Sequence, residues 1–342
     1  MNLNFEHRGA AHCESGVVSN LLNFYGYQLS EPMVFGIGAG LYFVNMPFVS
    51  YKGNMMKFSF RTFPGAIFAH TMKNLKIKVG VKKRFFNKEK AMKEVDKLLE
   101  QGKPVGNVVG LYFLPYTPIR IHFNAHHLCV TGKEGDEYTV SDPTVPLAQK
   151  LSAENLKKVR FSKGMFKPQG KMYWVKELPT GTPDLHAAIF NGIKTTCNKM
   201  TGTPLLPLGV RGIAVLAKQI RKLETKYGEQ DALIFLATLL QAMEEFGTGG
   251  AGFRFLYSAF LYEAADMLNQ PKLKDFSTKM TNIGDLWRQF ALECGRKFKN
   301  RGKESYNDLA DRLLEISEKE KQFFITLRKY IKTECLEIMI NT

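Results

Sequence analysis

The spacing of apolar residues along the chain predicts a mixed first half and a helical second half. Apolar residues recur at helical spacing over 14–25 and 87–101, and a glycine that can end a helix follows each stretch. Short runs of β-branched and aromatic residues predict strands at 105–114, 119–123, 128–131, 137–140 and 171–175. The first half should therefore combine helices with an antiparallel sheet, which is an α+β arrangement.

Beyond residue 184 the pattern is helical throughout. It predicts helices at 185–198, 210–226, 231–246, 253–268, 273–299 and 306–340. The stretch from Pro179 to Pro183 holds two prolines and a glycine, which is the composition of a linker. We therefore expect one domain over 1–178 and an all-helical bundle domain over 184–342.

Composition places the chain among ordinary globular proteins. Its 342 residues are 44% apolar and 23% charged, and no apolar run reaches the roughly 18 residues of a membrane span. The first ten residues have no apolar stretch typical of a secretion signal, so we expect a cytosolic protein. Five scattered cysteines form no CxxC pair and are expected to be free thiols.

The charge is strongly and unevenly positive. The net charge is +16, and 25 basic against 13 acidic residues give +12 within 1–178. Such a field favours an acidic partner, although a solvated basic face explains it as well. We do not expect a nucleic-acid partner, because no helix-turn-helix, zinc-knuckle or RNP-type motif accompanies the charge.

The segment from His126 to Pro143 predicts a strand, a tight polar turn and a second strand. If the turn is centred between Glu134 and Gly135, His127 lies opposite Asp142, and His126 lies opposite Pro143. Opposed side chains on one face lie close enough for a carboxylate to orient an imidazole. This register selects His127 as the partner of Asp142, and a one-residue bulge would change the selection.

Cys13 at the start of the first predicted helix completes a candidate triad. Unpaired amides and the helix dipole favour a thiolate there, and the Cys13 amide can donate to an oxyanion. The second oxyanion donor is expected among His7, His12 and Asn20.

Each of these residues also has a purely structural explanation. Most cytosolic cysteines are small buried hydrophobes, and most strand histidines have no catalytic role. A metal site at His122, His126 and His127 is the other alternative. We expect no metal, because adjacent strand residues face opposite ways.

Several motifs together resemble one enzyme family. They are His12-Cys13-Glu14-Ser15-Gly16, the segment from Asn20 to Glu31, the glycine-rich stretch 34–41, His126-His127-Leu128 and Val140-Ser141-Asp142-Pro143. They resemble the butirosin biosynthesis protein H family, and 247–254 with 260–265 is similar to the helical domain that follows it. That family is similar to papain-like enzymes, including the peptidase domains of bacteriocin exporters. The resemblance therefore implies a papain-like first domain.

The resemblance also implies an activity. The family's namesake moves an acyl group from an acyl carrier protein to an aminoglycoside amine, which makes Cys13 the nucleophile, His127 the base and then acid, and Asp142 the orienting residue. His7 stands where papain-like enzymes carry an oxyanion-hole glutamine. This chain should then be an acyltransferase of secondary-metabolite or lipid biosynthesis.

The implied donor and acceptor complete this prediction. The donor is an acidic acyl carrier protein or coenzyme A, either of which brings its own phosphopantetheine, and the acceptor is a small-molecule amine. No other cofactor is expected. Gly249, Gly250 and Arg254 are candidates for binding the pantetheine phosphate, unless the glycines only allow close helix packing.

Two alternatives remain open at the level of the sequence. The first is a cysteine peptidase or amidase of the bacteriocin-processing type, with water as acceptor. The second is a non-catalytic basic binder of nucleic acid or anionic lipid.

Overall fold

The computed structural model describes residues 1–46, 57–202 and 207–341, with side chains described up to residue 334 of the last helix. It divides into two compact units. Unit 1 comprises 1–34 and 67–183, and unit 2 comprises 35–66 and 184–342.

Helices and strands follow one another along the chain as follows. The helices are α1 (Cys13–Phe24), α2 (Glu31–Ile37), α3 (Ala66–Asn74), α4 (Lys88–Glu100), α5 (Ala153–Arg160), α6 (Leu185–Gly202), α7 (Gly209–Ile220), α8 (Leu223–Tyr227), α9 (Glu229–Glu244), α10 (Arg254–Met267), α11 (Lys272–Phe298) and α12 (Tyr306–Asn341). The strands are β1 (Leu41–Asn45), β2 (Phe58–Arg61), β3 (Lys78–Lys82), β4 (Val105–Val109), β5 (His126–Glu134), β6 (Glu137–Ser141), β7 (Gln149–Ser152) and β8 (Met172–Glu177).

Unit 1 is built on a six-stranded sheet. The strand order is β3-β8-β4-β5-β6-β7, and every neighbouring pair is antiparallel. The α+β prediction with an antiparallel sheet is thus confirmed. Helices α1 and α4 lie where the apolar spacing predicts them, and their N-caps are the side chains of His12 and Asn87.

One predicted strand is wrong. Residues 119–123 lie in an irregular segment that begins after β4 with a short 3₁₀ turn at Leu111–Phe113. Pro115 and Pro118 lack the amide hydrogens that a strand ladder uses, and the alternating apolar residues at Ile119–Phe123 form no strand.

The two faces of the sheet differ in what they bury. Leu128 and Val130 of β5 join an apolar core with residues of α4, α5 and the neighbouring strands. His127 and Cys129, which alternate with them, are fully buried on the other face, where α1 packs against β4 and β5. The sheet therefore places α1 beside the start of β5.

Unit 2 consists of the helices from α6 onward together with residues 35–66. Those residues, which the sequence assigns to the first domain, carry the antiparallel pair β1–β2 and supply aromatic rings to the helical core. Phe35 stacks on Phe253 with ring centroids 5.1 Å apart, and Phe60 meets Trp287 edge-on at 5.4 Å. The boundary of unit 1 at Pro183 falls in the predicted linker.

Gly36 is required by close packing within unit 2. A Cβ atom there would lie 2.1 Å from the ring of Phe260. The predicted helices of this unit are confirmed, except that the one predicted over 210–226 is divided into α7 and α8. Within the described ranges, no helix combines the length and apolar character needed to cross a membrane.

A buried ion pair lies in the core of unit 2. Arg254 donates to both carboxylate oxygens of Glu320 at 2.8 and 3.0 Å, and the Trp287 indole donates to the same carboxylate at 2.6 Å. Arg254 and Glu320 are both 0% exposed. Because neither charge is solvated, each depends on the other.

Replacing Glu320 by Ala should destabilise unit 2 by about 3–5 kcal/mol, because it leaves the buried guanidinium unpaired. Denaturant unfolding followed by circular dichroism of the helices measures the change. Glu318→Ala, at an exposed position of the same helix, is the matched control and should leave the transition in place. Equal effects of the two substitutions would contradict this description.

Candidate active site

The first turn of α1 is held by a carboxylate from α2. Glu31 accepts hydrogen bonds from the amides of Ala11 and His12, both at 2.8 Å, and from the Ser15 hydroxyl at 2.9 Å. Burial raises the pKa of Glu31, and these three hydrogen bonds partly oppose that rise. Glu31 thus fixes the loop immediately before Cys13.

Gly16 lets the same turn approach the Asp-Pro segment. The Ala10 amide donates to the Pro143 carbonyl at 2.8 Å. A Cβ atom at residue 16 would lie 2.5 Å from the Cβ of Ala10 and 2.7 Å from the Cβ of Pro143. The start of α1 therefore packs directly against the residue that follows Asp142.

The register of the β5–β6 hairpin differs from the predicted one. Glu134 pairs with Glu137 across a two-residue turn at Gly135 and Asp136, and the ladder shifts between Val130 and Gly132. Beyond this bulge Cys129 pairs with Ser141, which places the next residue, Asp142, level with Leu128.

The predicted pairing of His127 with Asp142 is therefore wrong. A shift of one residue moves the imidazole of His127 to the opposite face of the sheet. His126 lies two residues from Leu128 on the face that Asp142 shares, within the reach of a diagonal neighbour. Its Nε2 lies 2.7 Å from Asp142 Oδ2.

Asp142 is a fully satisfied buried carboxylate. Besides His126, the Tyr116 hydroxyl donates to Oδ2 at 2.8 Å, and the amide and hydroxyl of Thr144 donate to Oδ1 at 3.1 and 2.7 Å. Burial alone would raise the pKa of Asp142, but the charge of His126 and these hydrogen bonds lower it to about 2. Asp142 therefore stays ionised.

His126 joins Asp142 to Cys13. Burial alone would lower the pKa of His126, yet the negative charges of Asp142 and Cys13 and the hydrogen bond to Asp142 raise it above its ordinary range. Cys13, His126 and Asp142 are 7%, 4% and 1% exposed. The structure thus brings together a thiol, an imidazole and a carboxylate in the order of a nucleophilic triad.

His127 belongs to a different set of contacts. Its Nδ1 lies 2.9 Å from the Tyr173 hydroxyl, and its Nε2 lies 3.8 Å from a carboxylate oxygen of Glu14. It is 0% exposed beneath α1.

The three candidates for the second oxyanion donor all have polar partners. Both ring nitrogens of His7 are engaged, with the Ser141 hydroxyl at 2.8 Å and the Val145 carbonyl at 3.0 Å. The Asn20 amide donates to the Arg8 carbonyl at 2.9 Å. His12 accepts from the Ser15 amide as the N-cap of α1. His7 and Asn20 thus hold the N-terminal segment against β6 and α1.

The predicted pantetheine site does not hold for Arg254. Its side chain is 0% exposed and committed to Glu320, so it cannot reach a phosphate. Gly249 and Gly250 both have positive φ, at 66° and 89°, in the turn between α9 and α10. The amide of Ala251 that follows them donates to the Glu244 carboxylate at 3.1 Å. The glycines serve a tight turn here.

The histidines considered as metal ligands do not converge. His122 stacks on Tyr112 with ring centroids 4.0 Å apart, while His126 and His127 face opposite ways. Over the residues that the structure describes, no group of three His, Cys, Asp or Glu side chains could hold a metal ion.

The described cysteines at 13, 129, 197 and 294 are buried free thiols, as the sequence predicts, and the side chain of Cys335 lies outside the described residues. Burial raises the pKa of the Cys129, Cys197 and Cys294 thiols. These three have the environment of inert core residues.

Sequence reasoning missed Tyr116, Thr144 and Glu31. Thr144 could have been found, because Asp-Pro-Thr is a pattern in which an Asp side chain accepts from the amide two residues on. Tyr116 and Glu31 lie in other segments of the chain and carry no local indication of the contacts they make.

Two family models match this chain. The model of the N-terminal domain of butirosin biosynthesis protein H matches residues 12–143, and the model described as a domain of unknown function (DUF4872) matches 154–327. No curated protein matches. A crystal structure of a putative C39-like peptidase from Bacillus anthracis is 15% identical, covering 52% of this chain and 100% of its own, with a TM-score of 0.37.

Asp142→Asn should lower the free energy of unfolding by an amount that depends on pH. The lowered pKa of Asp142 gives stability that is complete above about pH 4 and is lost as pH falls toward 2. The raised pKa of His126 gives stability that is complete below about pH 6.5 and is lost as pH rises through its folded value. The difference from wild type should therefore be largest between about pH 4 and 6.5.

Chemical denaturation at a series of pH values measures this difference. Asp136→Asn, in the exposed hairpin turn, is the control and should show no such window. A difference for Asp142→Asn that is constant from pH 3 to 10 would contradict the ion pair.

Proposed function

We propose that this chain, which belongs to the family in which the N-terminal domain of butirosin biosynthesis protein H precedes the domain of unknown function (DUF4872), is a cysteine-dependent acyltransferase. The observation that carries the proposal is the contact of His126 with both Cys13 and Asp142. The broad class is a papain-like cysteine enzyme, in which we propose a pantetheine thioester as acyl donor and an amine as acceptor.

In the first half of the reaction, the Cys13 thiolate attacks the carbonyl carbon of a pantetheine thioester. The bond between that carbon and the pantetheine sulfur breaks, and the His126 imidazolium gives its proton to the departing thiolate. Asp142 keeps the imidazole oriented and stabilises its charged form throughout. The products are an acyl-Cys13 thioester and free pantetheine thiol.

In the second half, an amine attacks the acyl-Cys13 carbonyl. Neutral His126 takes the proton that the amine loses, the bond to the Cys13 sulfur breaks, and an amide leaves. The thiolate–imidazolium pair is then restored. Exchange between two thioesters is close to neutral in energy, so amide formation makes the sequence irreversible.

Burial of the three residues supports transfer to an amine over transfer to water. Cys13 is 7% exposed and Asp142 is 1% exposed, so the acyl-thioester would form in a setting with little solvent. Exclusion of water protects a reactive intermediate from hydrolysis. An amine that binds in place of the released pantetheine would then be the favoured acceptor.

The basic character of unit 1 supports an acidic carrier protein as donor. A cavity of about 430 Å³ in this unit is lined by the rings of Phe113 and Phe161 and by four lysines. The lysines are Lys88, Lys157, Lys158 and Lys163. One acidic side chain, Glu154, also lines it, and Lys157 pairs with Glu89 outside it at 3.1 Å. The net positive charge of this face matches a negatively charged carrier.

Incubation with an acylated carrier protein should add the acyl mass to the enzyme at Cys13. Intact-mass and peptide measurements follow the adduct. Cys13→Ala should form none, and the control Cys294→Ala should form it at the wild-type rate because that thiol is buried in unit 2. Addition of an amine should convert the adduct to amide. Absence of an adduct on wild type, or its persistence in Cys13→Ala, would defeat the proposal, and release of free acid with no amide would make the enzyme a hydrolase.

Reversing the charge at Lys157 and Lys158 to Glu should slow acylation by the carrier protein about tenfold at low salt, because it removes electrostatic steering. The defect should shrink as salt is raised. Lys93→Glu with Lys97→Glu, at exposed positions of α4, makes the same change of charge away from the cavity. Equal defects in the two double variants would show that only net charge matters and would contradict a docking role for the cavity.

A further inference from the structure

A second cluster of buried polar side chains lies next to Cys13 and His126. It consists of Glu14, His127 and Tyr173, which are 0%, 0% and 2% exposed. His127 Nδ1 is 2.9 Å from the Tyr173 hydroxyl, and His127 Nε2 is 3.8 Å from Glu14 Oε2. The mechanism above uses none of these groups.

The position of this cluster in the chain is informative. Glu14 directly follows Cys13 in the first turn of α1, and His127 directly follows His126 at the start of β5. Each member of the reacting pair therefore has a neighbour in the cluster. A displacement of α1 along β5 that separates Cys13 from His126 would also separate Glu14 from His127.

The cluster is anchored on two further elements. Glu14 Oε1 accepts from the Phe68 amide of α3 at 3.1 Å, and the Phe68 ring packs on the Tyr173 ring at 4.2 Å. Tyr173 is confined from the sheet side as well, because a Cβ atom at Gly106 of β4 would lie 2.1 Å from its ring. The Tyr173 hydroxyl thus has little freedom to move.

Such a cluster is less favourable in free energy than apolar side chains would be at the same place in the core. Burying a carboxylate, an imidazole and a phenol loses hydration that apolar side chains of similar size would not lose. Burial, followed by the negative charge of Glu14, raises the pKa of Tyr173 well above its usual range, so the phenol stays neutral. Hydrogen-bonded polar groups in a core specify one geometry, whereas apolar side chains can pack together in several.

We propose that Glu14, His127 and Tyr173 are positioning residues that set the separation and orientation of Cys13 and His126 by locking the first turn of α1 onto β5 and β8. This inference rests on the proposed roles of Cys13 and His126. Neither His127 nor its partners touch the reacting atoms in this scheme. A displacement of about 1 Å at a reacting pair can cost about a hundredfold in rate, so a tight lock has a functional purpose.

The test compares two variants, each of which removes the hydroxyl of one tyrosine. Tyr173→Phe removes the contact with His127, and the control Tyr138→Phe removes the 2.6 Å hydrogen bond to Asp96 in the apolar core on the other face. Tyr138 is 1% exposed as a residue, so the two rings are equally buried. The readout is alkylation of Cys13 by iodoacetamide from pH 5 to 10, measured by peptide mass, with circular dichroism to verify folding.

Tyr173→Phe should slow Cys13 alkylation at neutral pH about tenfold, in line with the loss of other outer contacts that orient reacting groups. Its rate should also rise at higher pH than in wild type, because a loosened His126 imidazolium stabilises the thiolate less. Tyr138→Phe should retain the wild-type profile. Glu14→Gln, which keeps an acceptor for the Phe68 amide, should shift the profile in the same direction by a smaller amount.

A folded Tyr173→Phe whose profile superimposes on that of wild type would overturn the inference, as would equal changes in both tyrosine variants. If Tyr173→Phe does not fold, Glu14→Gln decides, and an unshifted profile in that variant overturns the inference. Alkylation needs no acyl donor, so failure of acyl transfer with a normal response here would refute the transferase and not the positioning role. Wild-type alkylation that His126→Asn leaves unchanged would refute the triad itself.

Discussion

The site depends on one buried carboxylate. Asp142 accepts hydrogen bonds from His126, Tyr116 and Thr144, and these groups come from three different parts of unit 1. Burial works against the charged form of Asp142, so the ion is retained only while those donors stay in place. The need to satisfy this charge fixes the imidazole of His126, and that imidazole lies beside the Cys13 thiol.

Local pattern is enough to find two of the three residues of the candidate triad. A helix that opens at Cys13 follows from apolar spacing and from the glycine after Tyr25, and Asp142 follows from the end of a predicted strand. The histidine was missed because the face of a strand residue depends on register. Two features of the chain pointed to the true register: Gly135-Asp136 is a two-residue turn, and Gly132 inside a strand is typical of a bulge.

The placement of residues 35–66 and the partner of Arg254 depend on long-range packing, which the local sequence pattern does not predict. Residues 35–66 follow the first helices in the chain, yet Phe35 and Phe60 complete the aromatic core of unit 2 with Phe253 and Trp287. The partner of Arg254 is 66 residues away, at Glu320. The sequence motif around Gly249 and Gly250 predicted that Arg254 binds a phosphate. In the fold, its guanidinium instead pairs with the buried carboxylate of Glu320.

The central claim is that His126, and not His127, is the imidazole shared by Asp142 and Cys13. Nuclear magnetic resonance of the protein with ¹⁵N-labelled histidine, titrated from pH 5 to 10, tests it most directly. One residue, assigned to His126 through its loss in His126→Asn, should remain an imidazolium well above pH 6.5 and return toward ordinary titration in Asp142→Asn. An imidazole at residue 126 that titrates near pH 6.5 in the wild type, and is unaffected by the Asp142 substitution, would contradict the account.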